Sequence, residues 1–398
     1  MEKRTSIFSN GIIWFGVAIS VSEIEAGIEI GAASDKSLSL LPLLLGHLLG
    51  GVLLFFVGLI GARVRLNAME TTSSTFGKYG SKFFAALNTF QLLAWVAVLN
   101  AQGASALAGL NLPISFPLTC IILAVLIAIW VYVGLKRSAN VTTVVMTALS
   151  VLLAILTIKL FGIGSSGTLS SATNTTALLG FWNIFEISIA MPISWLPVIS
   201  DYTKDVEKPI KATAVSAAAY TIASLWMYII GIEIAGIGAN NNIAQAILLA
   251  GLGIPGIIIV VLSTVTTNFL AANSAGESAK AIFSKINPKI AGVVVSLLSA
   301  VLAISGIMDH YIGFLYLIAS VFAPMAAVLL VSFYFVKNNE ASLFFWIWNI
   351  FAWLAGFIVY QVAAHQESVF LGPTLLAVII SAVLAFVRPR KRASIGQN

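Results

Sequence analysis

The chain has 398 residues, of which 59% are hydrophobic and only 9% charged, and its mean hydropathy is +1.01. Soluble domains carry about 25% charged residues, so this composition excludes a water-soluble fold and makes lipid the natural solvent. The net charge of +6 reflects where the basic residues lie rather than affinity for nucleic acid, and the single cysteine, Cys120, excludes an intrachain disulfide and reads as a small buried hydrophobe.

A membrane β-barrel shows runs of about ten alternating residues. The unbroken "LPLLLGHLLGGVLLFFVGLIGA" and "LTCIILAVLIAIWVYVGL" are instead α-helical spans. About 20 mostly apolar residues cross a bilayer. On that basis spans are predicted at 10–33, 38–61, 84–108, 116–135, 141–163, 176–199, 213–237, 253–275, 289–308, 311–336, 342–362 and 370–388. The chain opens on "MEKRTSIFSN" without a small-residue cleavage site and with glutamates in the first apolar run, so that run reads as a retained helix rather than a signal peptide. The shortest connection is the ninth, little more than Asp309 and His310.

With the N-terminus on the cytoplasmic side, the inner segments collect all of the 21 basic residues except Lys36 and Lys159. One missed or extra span would scramble that alternation, so an even number of helices and two cytoplasmic termini are expected, in the inner membrane. The first span carries "SVSEIEAGIEIG" and the sixth "NIFEISIAMPISWLP", polar or helix-breaking residues at mid-membrane. They lie one five-helix unit apart, the pattern of inverted-repeat transporters with discontinuous helices around a midplane site. The expected organisation is a first repeat over 1–163, a second over 164–338, and two further helices with a basic tail over 339–398.

A carboxylate at mid-bilayer is expensive, by at least about 2.5 kcal/mol on insertion scales. Glu23 and Glu25 in the first span and Glu186 in the sixth therefore read as cavity-facing groups that accept substrate N–H donors or take part in coupling, while Glu29 lies near the outer end and Glu233 near the interface. Gln91 and Trp95 share one face of the third span, an amide beside a ring, which suits a flat heteroaromatic solute. Trp195, beside the sixth-span break, is a second stacking candidate. In the eighth span Ser263, Thr266 and Thr267 set hydroxyls on one face, fitting a hard monovalent cation beside unwound backbone, although such hydroxyls also bond their own helix. Asn268 and Asn273 are costly to bury unsatisfied and are candidate substrate contacts. His47, in "GHLLGG", reads as a packed histidine bonded between helices. The spaced glycines of "GLGIPG" lack the βαβ context of a nucleotide site, and no nucleophile–base or metal-ligand motif suggests an enzyme.

The segments "WFGVAISVSEIEAG", "RLNAMETTSSTFGKYGSK", "AMPISWLPVISDYTKDVEKP" and "STVTTNFLAANSAGES" resemble the nucleobase–cation symporter-1 family, closest to its CytX-type hydroxymethylpyrimidine branch, over nearly the whole chain. The resemblance implies an all-α membrane protein with the LeuT-type 5+5 inverted-repeat fold, twelve helices and discontinuous helices one and six. It matches Trp95 to the ring-stacking tryptophan, and Thr266 and Thr267 to the hydroxyl pair of a Na+ site whose first-span carbonyls come from near Ala18 and Val21. Two family positions differ: a glutamine one turn past the tryptophan falls at Leu99, and an asparagine of the eighth helix falls at Ala272, one step before Asn273. The implied activity is symport of a pyrimidine, hydroxymethylpyrimidine before cytosine, with Na+ before H+ as the coupling ion. No cofactor, nucleic acid or obligate protein partner is expected beyond the bilayer and the solute. A channel or a membrane-embedded enzyme is the alternative from another class.

Overall fold

The computed structural model describes residues 4–110, 113–164, 179–236, 243–336, 342–366 and 371–388, apart from the side chains of 135–143, 163 and 164. Lys3, Lys337 and the basic tail at Arg390, Lys391 and Arg392 lie outside these residues, as do the side chains of Lys136 and Arg137. The helices run in the order α1 (Ile7–Ala18), α2 (Val21–Ala33), α3 (Lys36–Val64), α4 (Ala68–Thr71), α5 (Ser73–Ala108), α6 (Phe116–Val133), α7 (Leu135–Gly164), α8 (Phe181–Ser194), α9 (Ile199–Thr203), α10 (Pro209–Gly236), α11 (Ile243–Leu249), α12 (Gly253–Ile282), α13 (Pro288–Ile304), α14 (Tyr311–Tyr334), α15 (Leu343–Ala364) and α16 (Pro373–Phe386).

A helix stands at each expected span, and among the described residues eight are long and apolar enough to cross a bilayer alone. The first span is two helices, α1 and α2, bent by 49°. The sixth is α8, a turn over Trp195–Val198, and α9. Among the described residues, three short elements fall in or at the edge of expected loops. They are α4, α11 and a single 3-10 turn at Ile307–His310. Each is too short for its periodicity to rise above a loop's. The third span begins at Ser73, earlier than its apolar stretch, and turns through Gly77, whose φ of 70° only glycine adopts freely.

The helices sort into two packed groups. In one, α10 lies against α1, α2 and α3, and α3 lies against α8. In the other, α12 packs on α5 and α13, and α13 on α6, while α14, α15 and α16 form a neighbouring layer. Long apolar side chains such as Leu38, Ile129, Ile158, Ile222 and Val301 point outward, where lipid rather than protein covers them. Ahead of α1, Thr5 runs parallel to Val206 beyond α9. The Thr5 N–H donates to Asp205 O at 3.0 Å, and Thr5 O accepts the Glu207 N–H at 3.1 Å.

Glycine sets the spacing of the first group. A Cβ on Gly231 of α10 would overlap the backbone of Ile24, Gly27 and Ile28 in α2, and one on Gly46 of α3 would overlap Ser188 of α8 and the Phe185 carbonyl. Gly231→Val must push α10 off α2. A loss of about 1–3 kcal/mol or more is expected for such overpacking, read as a lower melting temperature and yield of the purified protein. A spacer-neutral change on the lipid face, Ile222→Leu, is the control.

Candidate functional site

The first break is built by Ser20. Its backbone is extended (φ −131°, ψ 152°), and its hydroxyl accepts the Glu23 N–H at 3.2 Å, capping α2. Around it the helical ladder is replaced by short bonds: the Ile19 N–H donates to Gly16 O at 3.2 Å and the Ser20 N–H to Ala18 O at 3.0 Å. The carbonyls of Val17 and Ile19 are left for another helix. They receive hydroxyls from α12, with Ser263 Oγ donating to Ile19 O at 2.8 Å and Thr267 Oγ1 lying 3.3 Å from Val17 O and 3.5 Å from Ile19 O.

Backbone without partners is costly in a bilayer unless protein or a water-filled cavity satisfies it. The second break shows how this chain manages it. Pro197 has no N–H to continue a helix, and two amides of α5 reach across. Asn88 Nδ2 donates to Pro197 O at 2.9 Å, and Gln91 Nε2 donates to Ser194 O at 3.1 Å and to Asn88 Oδ1 at 2.8 Å. Asn88 also donates to Ser278 Oγ of α12 at 2.8 Å.

Gly103 of α5 abuts Thr264 of α12, while Asn88 bonds Ser278, so the two helices run antiparallel. Asn268 then sits level with Leu99, one turn from Trp95. Asn268 is 0% exposed, and neither atom of its amide has a protein partner. Gln91 Oε1 and the indole N–H of Trp95 are likewise buried without partners. Trp95 packs edge-on against Phe314 and Tyr311, with centroids 5.4 and 6.3 Å apart. Together these groups make a buried aromatic wall with unfilled donors and acceptors beside the first break, the usual composition of a small-molecule site.

The remaining candidates fall elsewhere. Trp195 is not in ring contact with Trp95. It joins Trp14 and Tyr220, with centroids 5.9 and 6.4 Å away. Thr266 Oγ1 bonds its own helix at Leu262 O, 2.7 Å, and Ser263 O, 3.2 Å. Asn273 Nδ2 reaches Tyr202 OH of α9 at 3.3 Å rather than Asn268's side of the helix. Glu186 faces α16, where it accepts the Thr374 N–H at 3.0 Å and hydroxyl at 2.6 Å. Ala18 and Val21 flank the break, but α12 engages Val17 and Ile19 instead, because a hydroxyl can reach only the carbonyls that the short bonds leave open. Glu23 spends both oxygens on α10, with Oε1 bonded to Tyr220 OH at 2.9 Å and Oε2 to Ser224 Oγ at 2.6 Å. Glu25 accepts from Gln102 Nε2 of α5 at 2.6 Å. In α9, Asp201 is half-buried with its Oδ2 fully enclosed. Its Oδ1 accepts the Ala68 N–H at 2.8 Å.

The model of a family of permeases for cytosine/purines, uracil, thiamine and allantoin matches residues 1–349. The chain belongs to this family, that of the nucleobase–cation symporter-1 transporters. Among solved structures, Mhp1, a member of that family captured closed with bromovinylhydantoin bound, has a TM-score of 0.76 at 17% identity, covering 96% of this chain and 92% of its own. Mhp1 in an inward-facing conformation has a TM-score of 0.72 at 18% identity, with 96% and 90% covered. A Na+-coupled sialic acid symporter, substrate-bound and outward-open, has a TM-score of 0.69 at 14% identity, with 96% and 89% covered. A comparison with curated sequences yields no match. At these identities the likeness is one of fold, the LeuT-type arrangement of a multi-pass membrane transporter.

Within this symporter family member, several site residues were not anticipated from sequence. Asn88, Ser188, Tyr220 and Ser224 are single polar residues in apolar helices, and nothing near them in the chain marks their partners. Two signals were available. Ser20 and Glu23 form an S-x-x-E start pattern inside an apolar run, and Asn88 lies one turn from Gln91 on the same face. Asn88→Ala removes the donor to Pro197 O and Ser278 together. A destabilisation of about 1–3 kcal/mol is expected from the stranded carbonyl. Asn88→Asp, which lacks the N–H donors, should melt at least as early in a detergent thermal scan.

Proposed function

We propose that the protein is a secondary symporter that imports a pyrimidine together with a cation, Na+ being the cation its geometry fits best. The observation that carries this reading is the unpartnered, fully buried Asn268 amide. It lies one turn from Trp95, and the α12 hydroxyls of Ser263 and Thr267 meet the first break on the same helix. An amide with both its carbonyl and its NH2 free offers an acceptor beside a donor. That pair is complementary to a ring nitrogen next to an exocyclic amino group, the edge by which asparagine reads adenine. Trp95 supplies a face for the ring. Gln91 Oε1 supplies a further acceptor for an N–H. Hydroxymethylpyrimidine, an aminopyrimidine, is the solute this edge favours, and cytosine shares its amino group and ring nitrogen.

For the ion, two hydroxyl oxygens from α12 and two carbonyls from the break provide hard oxygen ligands of the kind that hold Na+ in broken-helix transporters. Binding there would couple the two packed groups, since α1 and α2 belong to one and α12 to the other. Cation occupancy then favours the state open to the outside, solute binding permits closure, and the site is exposed inward. The organisation proposed is a repeat over 1–163, a second over 164–338 and an added pair of helices over 339–398, in the inner membrane with both termini cytoplasmic.

The test is uptake of labelled hydroxymethylpyrimidine and cytosine by a strain lacking its own transporters, with and without Na+ at fixed pH. Saturable, Na+-dependent accumulation of an aminopyrimidine is expected, and no gain over the empty strain for either solute overturns the substrate class. Trp95→Ala should weaken uptake affinity about 10- to 100-fold, as ring stacking is worth about 1–3 kcal/mol per base. Ser263→Ala and Thr267→Ala should raise the Na+ concentration needed for half-maximal uptake while leaving the solute preference unchanged. Unaltered Na+ dependence in both, or a protonophore-sensitive uptake indifferent to Na+, would place the driving ion elsewhere.

A further inference from the structure

The buried polar side chains that the proposed site leaves unused line up. Glu23 of α2 is 2% exposed and His47 of α3 is 0% exposed. Four short contacts connect them to the backbone of α3: Ser224 Oγ to Glu23 Oε2 at 2.6 Å, Ser224 Oγ to His47 Nε2 at 2.7 Å, His47 Nδ1 to Ser188 Oγ at 2.6 Å, and Ser188 Oγ to Leu43 O at 2.6 Å. The chain touches α2, α10, α3 and α8 in turn. We propose that Glu23 and His47 bind one proton in common through Ser224, and that this proton is a structural ligand tying α2 to α3, α8 and α10.

The inventory of hydrogens leads there. Each contact needs one hydrogen between its two heavy atoms. The Leu43 carbonyl has none, so Ser188 gives its only one to Leu43 O. The next contact must then be filled by a proton on His47 Nδ1. Ser224 has a single hydrogen and two neighbours. If it donates to Glu23, His47 Nε2 must carry a second ring proton, giving an imidazolium and a carboxylate. If it donates to Nε2, Glu23 must be protonated and donate to Ser224, giving a neutral acid and a neutral ring. The two arrangements interconvert when Ser224 hands its hydrogen to one neighbour while taking one from the other. Both have zero net charge, and both hold one proton more than a carboxylate with a neutral imidazole. Tyr220 donates to Glu23 Oε1 at 2.9 Å in either case. Removing the shared proton to water leaves two lone pairs facing each other across one of the four contacts.

The surrounding titratable groups do not substitute for it. On α10, Tyr228 presents its ring edge to His47, centroids 4.7 Å apart, with its hydroxyl on Ile187 O, and Glu233 pairs with Lys36 at the start of α3. On α2, Glu25 is held by Gln102, and Glu29 lies further out. On α8, Glu186 is held by Thr374. Beyond α2, Tyr311 bonds Ser22. Among the described residues no lysine or arginine forms an ion pair with Glu23.

Nothing in this inventory depends on which solute or ion is carried, and the test needs neither. The melting temperature of the purified protein is followed from pH 5 to 9 for wild type and Glu23→Gln. A glutamine completes the chain without the shared proton: its NH2 donates to Ser224, its carbonyl accepts from Tyr220, and His47 stays neutral. Unfolded histidine titrates near about 6.5, so the two curves should have opposite signs. Wild type keeps its proton after the unfolded chain has lost one, and its unfolding constant should rise above that pH by up to about tenfold per pH unit. Glu23→Gln should instead gain stability as pH rises to that point and then level off. All other titrating groups are common to both proteins, so the difference between the curves reports the pair. Parallel curves overturn the proposal. If the variant does not fold, the 15N resonances of His47 and the 13C carboxyl shift of Glu23 in wild type at pH 8 decide it. Two ring protons, or one with a protonated Glu23, are expected, and a neutral ring beside an ionised Glu23 overturns it.

Discussion

Peptide groups without hydrogen-bond partners have nowhere to go inside a bilayer, and that constraint organises this protein. Two spans are interrupted within the packed helices, and each interruption must be answered by a side chain or a guest. The second break is answered by Asn88 and Gln91 of α5. The first is answered by hydroxyls of α12, and these are weak donors at the long end of hydrogen-bond range for Thr267. A backbone satisfied by amides is a fixed structure. One satisfied by loosely placed hydroxyls is able to accept a cation, because the same oxygens that donate or accept can also coordinate.

The architecture was largely legible in the sequence because lipid imposes long apolar runs, a linear property of the chain. The breaks were legible for a related reason. Glutamates, prolines and serines in the middle of an apolar run have no bland explanation. What the linear pattern does not carry is which way a side chain points. Glu23 and Glu186 stand out equally in sequence, yet one turns to α10 and the other to α16, as directed by the packing of helices far away in the chain. Thr266 and Thr267 are neighbours, and a rotation of about 100° per residue sends one to its own helix and the other to the break.

The same contrast explains the candidate site. Trp95 was singled out as a face for a flat heterocycle and Asn268 as an amide costly to bury unsatisfied, and the fold brings them within a helical turn because α5 and α12 run antiparallel in close register around Gly103. Trp195 was singled out on the same grounds, but the turn that ends α8 directs it toward Trp14 and Tyr220. His47 reads as an ordinary packed histidine, and it is one, bonded on both ring nitrogens. Its interest comes from arithmetic over four neighbouring residues that no local pattern reveals.

The parallel pairing of Thr5 with Val206 bears on how the start of the first broken span and the end of the sixth behave. Because the stretch ahead of α1 is stitched by two backbone bonds to the stretch after α9, those ends share a tether. Neither can swing outward as a free flap while the stitch holds. The two ends are therefore joined as one piece, and parting them means peeling one residue's worth of ribbon.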